Sequence, residues 1–227
     1  MSSRLTAILP ALDEADALPT ALEGRPPDID VLVVDNGSTD GTAHVARSLG
    51  ARVVEERRRG FGAACWAGVQ AAPEGAVLGF MDADGSLSWS DLLRVAAPVL
   101  DGDVDLCVGW RHPAGRQPGA MPWHVALANS GLGRLCGHLA GTRLHDIGPL
   151  RAIRRDTLLQ LGMRDRSYGW PLEMLLRASR AGLSIAEIPV GYRRRVGTSK
   201  VTGRPWPTVK AATRMATVLV RYTWETR

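Results

Sequence analysis

The chain has 227 residues, 45% of them hydrophobic and 22% charged, with a net charge of +5. That is enough apolar material for one packed domain of ordinary size and too much for wholesale disorder. No run of about 18 apolar residues occurs, which argues against a conventional transmembrane helix, and Asp13 with Glu14 interrupts the N-terminus before a secretory core is complete. Three cysteines (Cys65, Cys107, Cys136), odd in number and without CxxC spacing, argue against disulfides or structural zinc and for a reducing, cytoplasmic setting.

The first half alternates short strands and helices. Leu5–Pro10 is apolar and reads as a strand, followed by a helical stretch from about Asp13 to Leu22. Asp30–Asp35 (DVLVVD) is a continuous β-branched run, the pattern of a strand buried on both faces. Ser38, Thr39 and Asp40 offer N-caps to a helix over Gly41–Leu49. Ala51–Glu55 is a third strand, Gly62–Ala72 a helix of small residues, and Ala76–Met81 a fourth strand. Ser90 is the candidate cap of a helix to Leu100, and Asp105–Gly109 makes a fifth strand. This alternation implies a doubly wound, mostly parallel α/β sheet.

After Trp110 the regime changes. Residues 111–122 (RHPAGRQPGAMP) are rich in Pro and Gly without periodicity and read as a mobile loop. Helices are predicted over Trp123–Leu139 and Trp170–Ala181, with short strands at Gly148–Ile153 and Ser184–Pro189. Arg193–Pro205 reads as a flexible basic loop. The segment 206–224 is helical and amphipathic, with Lys210, Arg214 and Arg221 among Val209, Met215, Leu219 and Val220. It either packs on the domain or lies at a membrane surface with Trp206, Tyr222 and Trp224 at the interface.

Charge divides along the same line. Residues 1–110 hold 8 basic and 17 acidic residues, a net of −9; residues 111–227 hold 20 and 6, a net of +14. A basic half suits an anionic partner such as phosphate, nucleic acid or a membrane leaflet. Only Lys200 and Lys210 are lysines, so the cations are almost all arginine, suited to bidentate phosphate contacts.

In doubly wound sheets ligands sit beyond the carboxyl ends of the strands. Three features fall there: Pro10-Ala11-Leu12-Asp13-Glu14, Asp35-Asn36-Gly37-Ser38, and Asp82-Ala83-Asp84. Two carboxylates directly after a buried apolar strand repel unless a cation intervenes, and a hard divalent ion bridging them to a diphosphate answers that repulsion. Gly60-Phe61-Gly62 follows the third strand rather than the first and lacks the full dinucleotide spacing, so a nicotinamide-binding domain is excluded. There is no phosphate loop of the G-x-x-x-x-G-K type and no nucleophile elbow. The five histidines show no metal-ligand spacing.

The succession PALDEAD, VVDNGSTDGT, RGFGAA, FMDADGS, DIGPLRAI, YGWPLEM and YRRRVGTSK resembles the family 2 glycosyltransferases of GT-A fold. The branch it is most similar to includes dolichol-phosphate mannosyltransferase and the bacterial polyprenyl-phosphate glycosyltransferases. The resemblance covers about Leu5 to Thr202. It implies a nucleotide-sugar-binding half (1–110), an acceptor-binding half of the same domain (111–205) and a C-terminal amphipathic helix (206–227). By the same resemblance Pro10, Ala11, Glu14, Asp35, Asp82, Ala83, Asp84, Arg195 and Lys200 bind the nucleotide sugar. Asp82, Asp84 and Ser86 stand where the branch holds Mg²⁺ or Mn²⁺, although serine is shorter than the branch's usual third ligand. Asn36 replaces the second aspartate of the family's VVDD. Asp146, Asp84 and Arg111 are the candidate catalytic residues, and Arg111, Trp170, Glu173 and Ser199 the candidate acceptor contacts. Arg195, Ser199 and Lys200 form a basic lid.

The implied reaction is a metal-dependent, inverting transfer of a hexose from a UDP-glucose or GDP-mannose type donor to polyprenyl phosphate. A lipid phosphate is already anionic and needs no strong base, so Asp146 positions groups rather than abstracting a proton. Access to such an acceptor implies a membrane surface or a membrane-anchoring partner, hence a peripheral protein at the inner face of the membrane. The alternatives are a family 2 transferase with a soluble acceptor, and a non-catalytic nucleotide-sugar or RNA-binding module. The second ranks low because no strip of aromatics for stacking RNA is present, and no nucleic acid partner is expected.

Overall fold

The structure, a computed structural model, describes residues 4–139, 141–197 and 213–222. In chain order its elements are β1 (Leu5–Ala11), α1 (Leu18–Leu22), β2 (Asp30–Asp35), α2 (Thr42–Ser48), β3 (Arg52–Glu55), α3 (Phe61–Ala71), β4 (Val77–Phe80) and α4 (Trp89–Leu100). There follow β5 (Leu106–Arg116), α5 (Trp123–Leu139), β6 (Arg151–Arg154), α6 (Arg155–Gln160), α7 (Trp170–Arg180) and β7 (Ile185–Tyr192), with a last helix, α8, over residues 213–222. The strands make one sheet in the order β3-β2-β1-β4-β6-β5-β7. Only β6 runs antiparallel to its neighbours, β4 and β5; the other pairs are parallel.

Strand β2 explains why the sheet is covered twice. Leu32 and Val34 enter the cluster beneath α3 and α7, while Val31 and Val33 enter the one beneath α1, α2 and α4. A strand whose alternate side chains are all apolar must be covered on both faces. Small residues in α3 bring it close to the sheet: a Cβ on Gly68 would lie 2.5 Å from Ile8 Cγ2 and 3.2 Å from Val34 Cγ2.

Several expectations are corrected. The helix expected from Asp13 shrinks to Leu18–Leu22, because the amides of Asp13, Glu14 and Ala15 donate to Ser38 Oγ, Thr42 Oγ1 and Asp40 Oδ2. The acceptors lie in the loop after β2 and at the first residue of α2, so these three amides are tied to that turn. Gly41, with left-handed φ of 86°, takes the N-cap position of α2 in place of a side-chain cap from Ser38, Thr39 or Asp40. Ser88, not Ser90, caps α4: its Oγ accepts from the Asp91 amide at 3.2 Å. The expected loop at 111–122 is strand as far as Arg116, because β7 pairs with β5 from Leu106 to Arg111 and again at Arg116. A register shift between those two stretches absorbs Pro113, which has no amide to give a ladder. Strand β6 is shorter than Gly148–Ile153, and α6 was not foreseen.

Helix α8 packs on the domain. Val218 is buried, Met215, Leu219 and Tyr222 lie against the cluster of α7, and Arg214 Nε reaches Asp165 Oδ2 at 2.8 Å. Of the two readings of the amphipathic segment, packing holds for residues 213–222. Trp206, Trp224, Ser199 and Lys200 lie outside the described residues. No helix among those described is long and apolar enough to cross a membrane.

Candidate active site

The strand order sets β2, β1 and β4 side by side, so their carboxyl ends bring Asp35, Pro10 with Ala11, and Asp82 with Asp84 to one rim. Ala11 accepts the Asn36 amide at 2.9 Å, closing the step between the first two strands. Asp35 Oδ1 accepts from the Ser38 amide at 2.9 Å, which orders the DNGSTDGT turn.

Asn36 does work that a second aspartate could not. Its Nδ2 donates to the carbonyls of Glu56 and Arg58 at 3.0 and 2.8 Å, and its Oδ1 accepts from the Gly60 amide at 2.7 Å. A carboxylate has no N–H for those carbonyls. The glycines of RGFGAA likewise serve packing: a Cβ on Gly62 would stand 2.7 Å from Asp165 O, and the Gly62 and Ala63 amides donate to Ser167 and Arg166 carbonyls.

Asp84 is 2% exposed. Its Oδ1 accepts from the Ser86 amide at 2.9 Å, and its Oδ2 lies 3.0 Å from Arg195 Nη2. The same Nη2 is 3.3 Å from Glu14 Oε1. The basic segment is tied down over this loop by its backbone as well, Arg193 N donating to Ser86 O and Val196 N to Asp84 O, both at 2.9 Å. Burial and the neighbouring Asp84 charge push the Asp82 carboxyl up to about 7, against the pull of Arg111 and Arg195. Ser86 is completely buried, beside Tyr192, and its Oγ has no well-aligned hydrogen-bond partner among the described residues.

The Asp82 carboxyl, pushed up by burial and by the Asp84 charge, stands with Asp84 and the buried Ser86 hydroxyl as an all-oxygen donor set of the kind a hard divalent cation takes. No group of three or more His, Cys, Asp and Glu side chains suited to a metal occurs among the described residues. The remaining positions of such an ion would therefore fall to diphosphate oxygens or water, as is usual for Mg²⁺.

Across the rim, Arg111 and Asp146 make a buried, two-pronged ion pair, Nε to Oδ2 at 2.7 Å and Nη2 to Oδ1 at 2.8 Å. Burial alone would pull the Arg111 guanidinium down, but the doubly bonded carboxylate outweighs it and holds the group charged well above its ordinary value. The Arg111 guanidinium also stands 5.2 Å from the centre of the Tyr192 ring. Glu187 fixes the loop that carries Asp146, accepting from the amides of His145 and Asp146 at 2.8 and 3.1 Å and from the His145 ring side at 2.6 Å. Behind it, wholly buried Arg151 donates to the carbonyls of Ile147, Gly148 and Pro171; burial pulls its guanidinium down to about 10. A polar cleft of about 320 Å³ opens beside Ser86, lined by Ser88, Asp91, Gln117, Tyr192 and Arg193.

Two sequence candidates fall elsewhere. Trp170, 1% exposed, packs edge-on to Trp66 at 6.2 Å and against Phe80 at 6.4 Å. Glu173 is buried against its own chain, accepting from the amides of Arg164 and Asp165 and from Arg177 Nε at 2.7 Å. Glu187, Arg151 and Tyr192 were missed: Glu187 stands on β7 outside any motif, while Arg151 and Tyr192 sit inside DIGPLRAI and YRRRVGTSK without being singled out. Only the arginine within DIGPLRAI, an unlikely residue for a buried strand, was a legible signal.

The profile of the family described as Glycosyl transferase family 2 matches residues 6–162. An uncharacterized glycosyltransferase of Mycobacterium tuberculosis is 42% identical over 201 residues, covering 88% of this chain and 90% of that protein. An undecaprenyl-phosphate mannosyltransferase of Micrococcus luteus is 33% identical over 220 residues, 88% of each chain. Among solved structures, glucosyl-3-phosphoglycerate synthase of M. tuberculosis, in complex with Mn²⁺, UDP-glucose and phosphoglyceric acid, superposes with a TM-score of 0.75 at 22% identity. That match covers 97% of this chain and 79% of the other.

Proposed function

The chain belongs to the family 2 glycosyltransferases, and we propose that it moves a hexose from a nucleotide sugar to polyprenyl phosphate. It is a glycosyltransferase of GT-A fold. The observation that carries the finer reading is the paired rim: Asp82 and Asp84 under Arg195 on one side, the Arg111–Asp146 pair on the other. The Micrococcus relative's name, an undecaprenyl-phosphate mannosyltransferase, supports the acceptor.

In this reading Pro10, Ala11, Glu14 and Asp35 hold the nucleotide, with Ala83 on the floor of its diphosphate site. Asp82 and Asp84 would hold Mg²⁺ or Mn²⁺, with the shorter Ser86 joining through a bridging water. When bound, the ion neutralises charge that builds on the leaving diphosphate. Arg195 exchanges its contact with Asp84 for the diphosphate and carries the same task, joined by Lys200. Arg111 binds the acceptor phosphate, and Asp146, with both oxygens on Arg111, positions that cation. An anionic nucleophile needs no base, so one in-line displacement inverts the anomeric centre. The test is transfer of label from UDP-glucose and GDP-mannose, in parallel, to a short polyprenyl phosphate with Mg²⁺ or Mn²⁺. Label entering the organic phase, and lost in Asp84→Ala, is the expected result.

A soluble acceptor is the second reading. It is favoured by the polar lining of the cleft beside Ser86 and by the phosphoglyceric acid bound to the solved structure of similar fold. Label that stays in the aqueous phase on a small acceptor would establish it.

A further inference from the structure

Helix α5 is built inside out. Its inner side is made of small residues: a Cβ on Gly133 would lie 2.6 Å from the Asp146 amide, and one on Gly137 would lie 2.7 Å from the Leu144 amide. Its outer side carries Trp123, 78% exposed, Leu127 at 63%, and Leu135 and Leu139 at 42% each. These stand at i, i+4, i+12 and i+16, and Gly131, with open space around it, fills the missing place in the row. They therefore form one ridge along the helix. Four of the seven exposed large apolar side chains among the described residues lie on it, and Leu49, Leu93 and Val220 stand on three other helices or their ends. Scattered single residues are ordinary, whereas a continuous ridge marks a contact surface.

The polar companions of the ridge are all cationic or neutral. His124, Arg134 and His138 are exposed beside it. No residue of α5 is acidic, and exposed Arg134 is its one arginine. Arg194 is held at the near end of the helix, its Nε donating to Pro118 O at 2.7 Å, and exposed Arg143 lies just past the far end. An apolar stripe with tryptophan and leucine amid cations is the composition of a helix lying in an anionic lipid interface. A second copy of the chain suits it less. Seventeen residues make a ridge about 25 Å long, or roughly 250 Å² of contact, against about 800 Å² per partner in a stable pair, and two such cationic faces repel.

We infer that the outer face of α5 docks on an anionic bilayer and so presents the active site to an acceptor held in that bilayer. Because Gly133 rests on the Asp146 backbone, the membrane surface stands about one helix diameter, roughly 10 Å, from the Arg111–Asp146 pair. The inference rests on the lipid-phosphate reading above and assigns the membrane contact to α5, whereas α8 spends its apolar face on the core.

The test is co-sedimentation with phosphatidylcholine vesicles containing about a third phosphatidylglycerol, compared with phosphatidylcholine alone. The wild-type protein is expected to pellet with the anionic vesicles and at least tenfold less with the neutral ones. Leu127→Ser combined with Leu135→Ser should weaken the partition at least tenfold, while Leu93→Ser, equally exposed on α4, should leave it unchanged. The double variant should still transfer to a short, water-soluble prenyl phosphate and lose transfer to a vesicle-embedded one. A wild-type protein that stays in the supernatant while labelling the soluble prenyl phosphate overturns the docking surface and leaves the acceptor class standing. Binding through α5 with no lipid labelled upholds the surface and removes the lipid acceptor. A dimer that the double variant dissolves, with no vesicle binding, assigns the ridge to a second copy and overturns the inference.

Discussion

Asp82→Asn should make the metal-free protein more stable, increasingly so as pH rises. The Asp82 carboxyl moves from an ordinary 3.8 in the unfolded chain to about 7 in the folded one, chiefly through burial and then through Asp84. Between those values the folded state holds more protons than the unfolded state, so stability falls with rising pH, by up to about 1.4 kcal/mol per unit. Below the lower value the contribution is fully present; above the upper one it is lost. Asparagine cannot ionise and escapes the loss. The stability gap between variant and wild type should therefore widen by up to about 3 kcal/mol from pH 5 to pH 7 and level off above that. Urea unfolding in a chelator across pH 5–8 reads this directly. Any pH-independent effect of the substitution shifts the whole curve without changing its slope. With Mn²⁺ added at pH 8, wild type should gain stability by binding while the variant gains little. A gap that stays flat or narrows as pH rises would refute the reasoning, since the two carboxylates would then not be competing for ionisation.

Asp146→Ala strands the Arg111 guanidinium in a buried site and should cost about 3–5 kcal/mol in urea unfolding, more than an exposed ion-pair deletion such as Glu55→Ala. Asn36→Asp removes both donors to the Glu56 and Arg58 carbonyls and should cost roughly 1–3 kcal/mol, with weaker nucleotide binding by calorimetry as the adjoining turn loosens. Arg195→Ala should weaken binding of the donor about tenfold or more in the presence of Mn²⁺, and should extend the pH-dependent loss of stability to higher pH, its lower end unchanged, because one of the cations holding the Asp82 carboxyl down is gone. Trp170→Phe should lower stability by roughly 1–3 kcal/mol through lost packing while kcat/KM for transfer remains within about twofold; a selective rise in acceptor KM would return Trp170 to the acceptor side.

Strand–helix alternation, DVLVVD, and the acids placed just after apolar strands were enough to define a doubly wound sheet and its ligand rim. Hydrophobic period and local turn chemistry are properties of short segments, and they carry that information without the rest of the chain. The pairing of Arg111 with Asp146 was of another kind. The two are 35 positions apart in sequence, and only the antiparallel insertion of β6 beside β5 sets the Asp146 loop against the end of that strand. The same holds for Trp170 and Glu173, whose residue types suit an acceptor site but whose helix turns them into the core and onto the Arg164–Asp165 loop. Residues 111–116 read as loop because Pro and Gly interrupt any pattern, yet backbone pairing with β7 needs no side-chain pattern to form. The DNGSTDGT turn was recognisable as a motif, but its effect on residues 13–15 depended on hydrogen bonds about 25 positions distant. Composition showed the second half to be basic; which cations close over Asp84, and which line the outer side of α5, was decided by the packing of strands and helices, because charge is counted along a sequence but acts through distance.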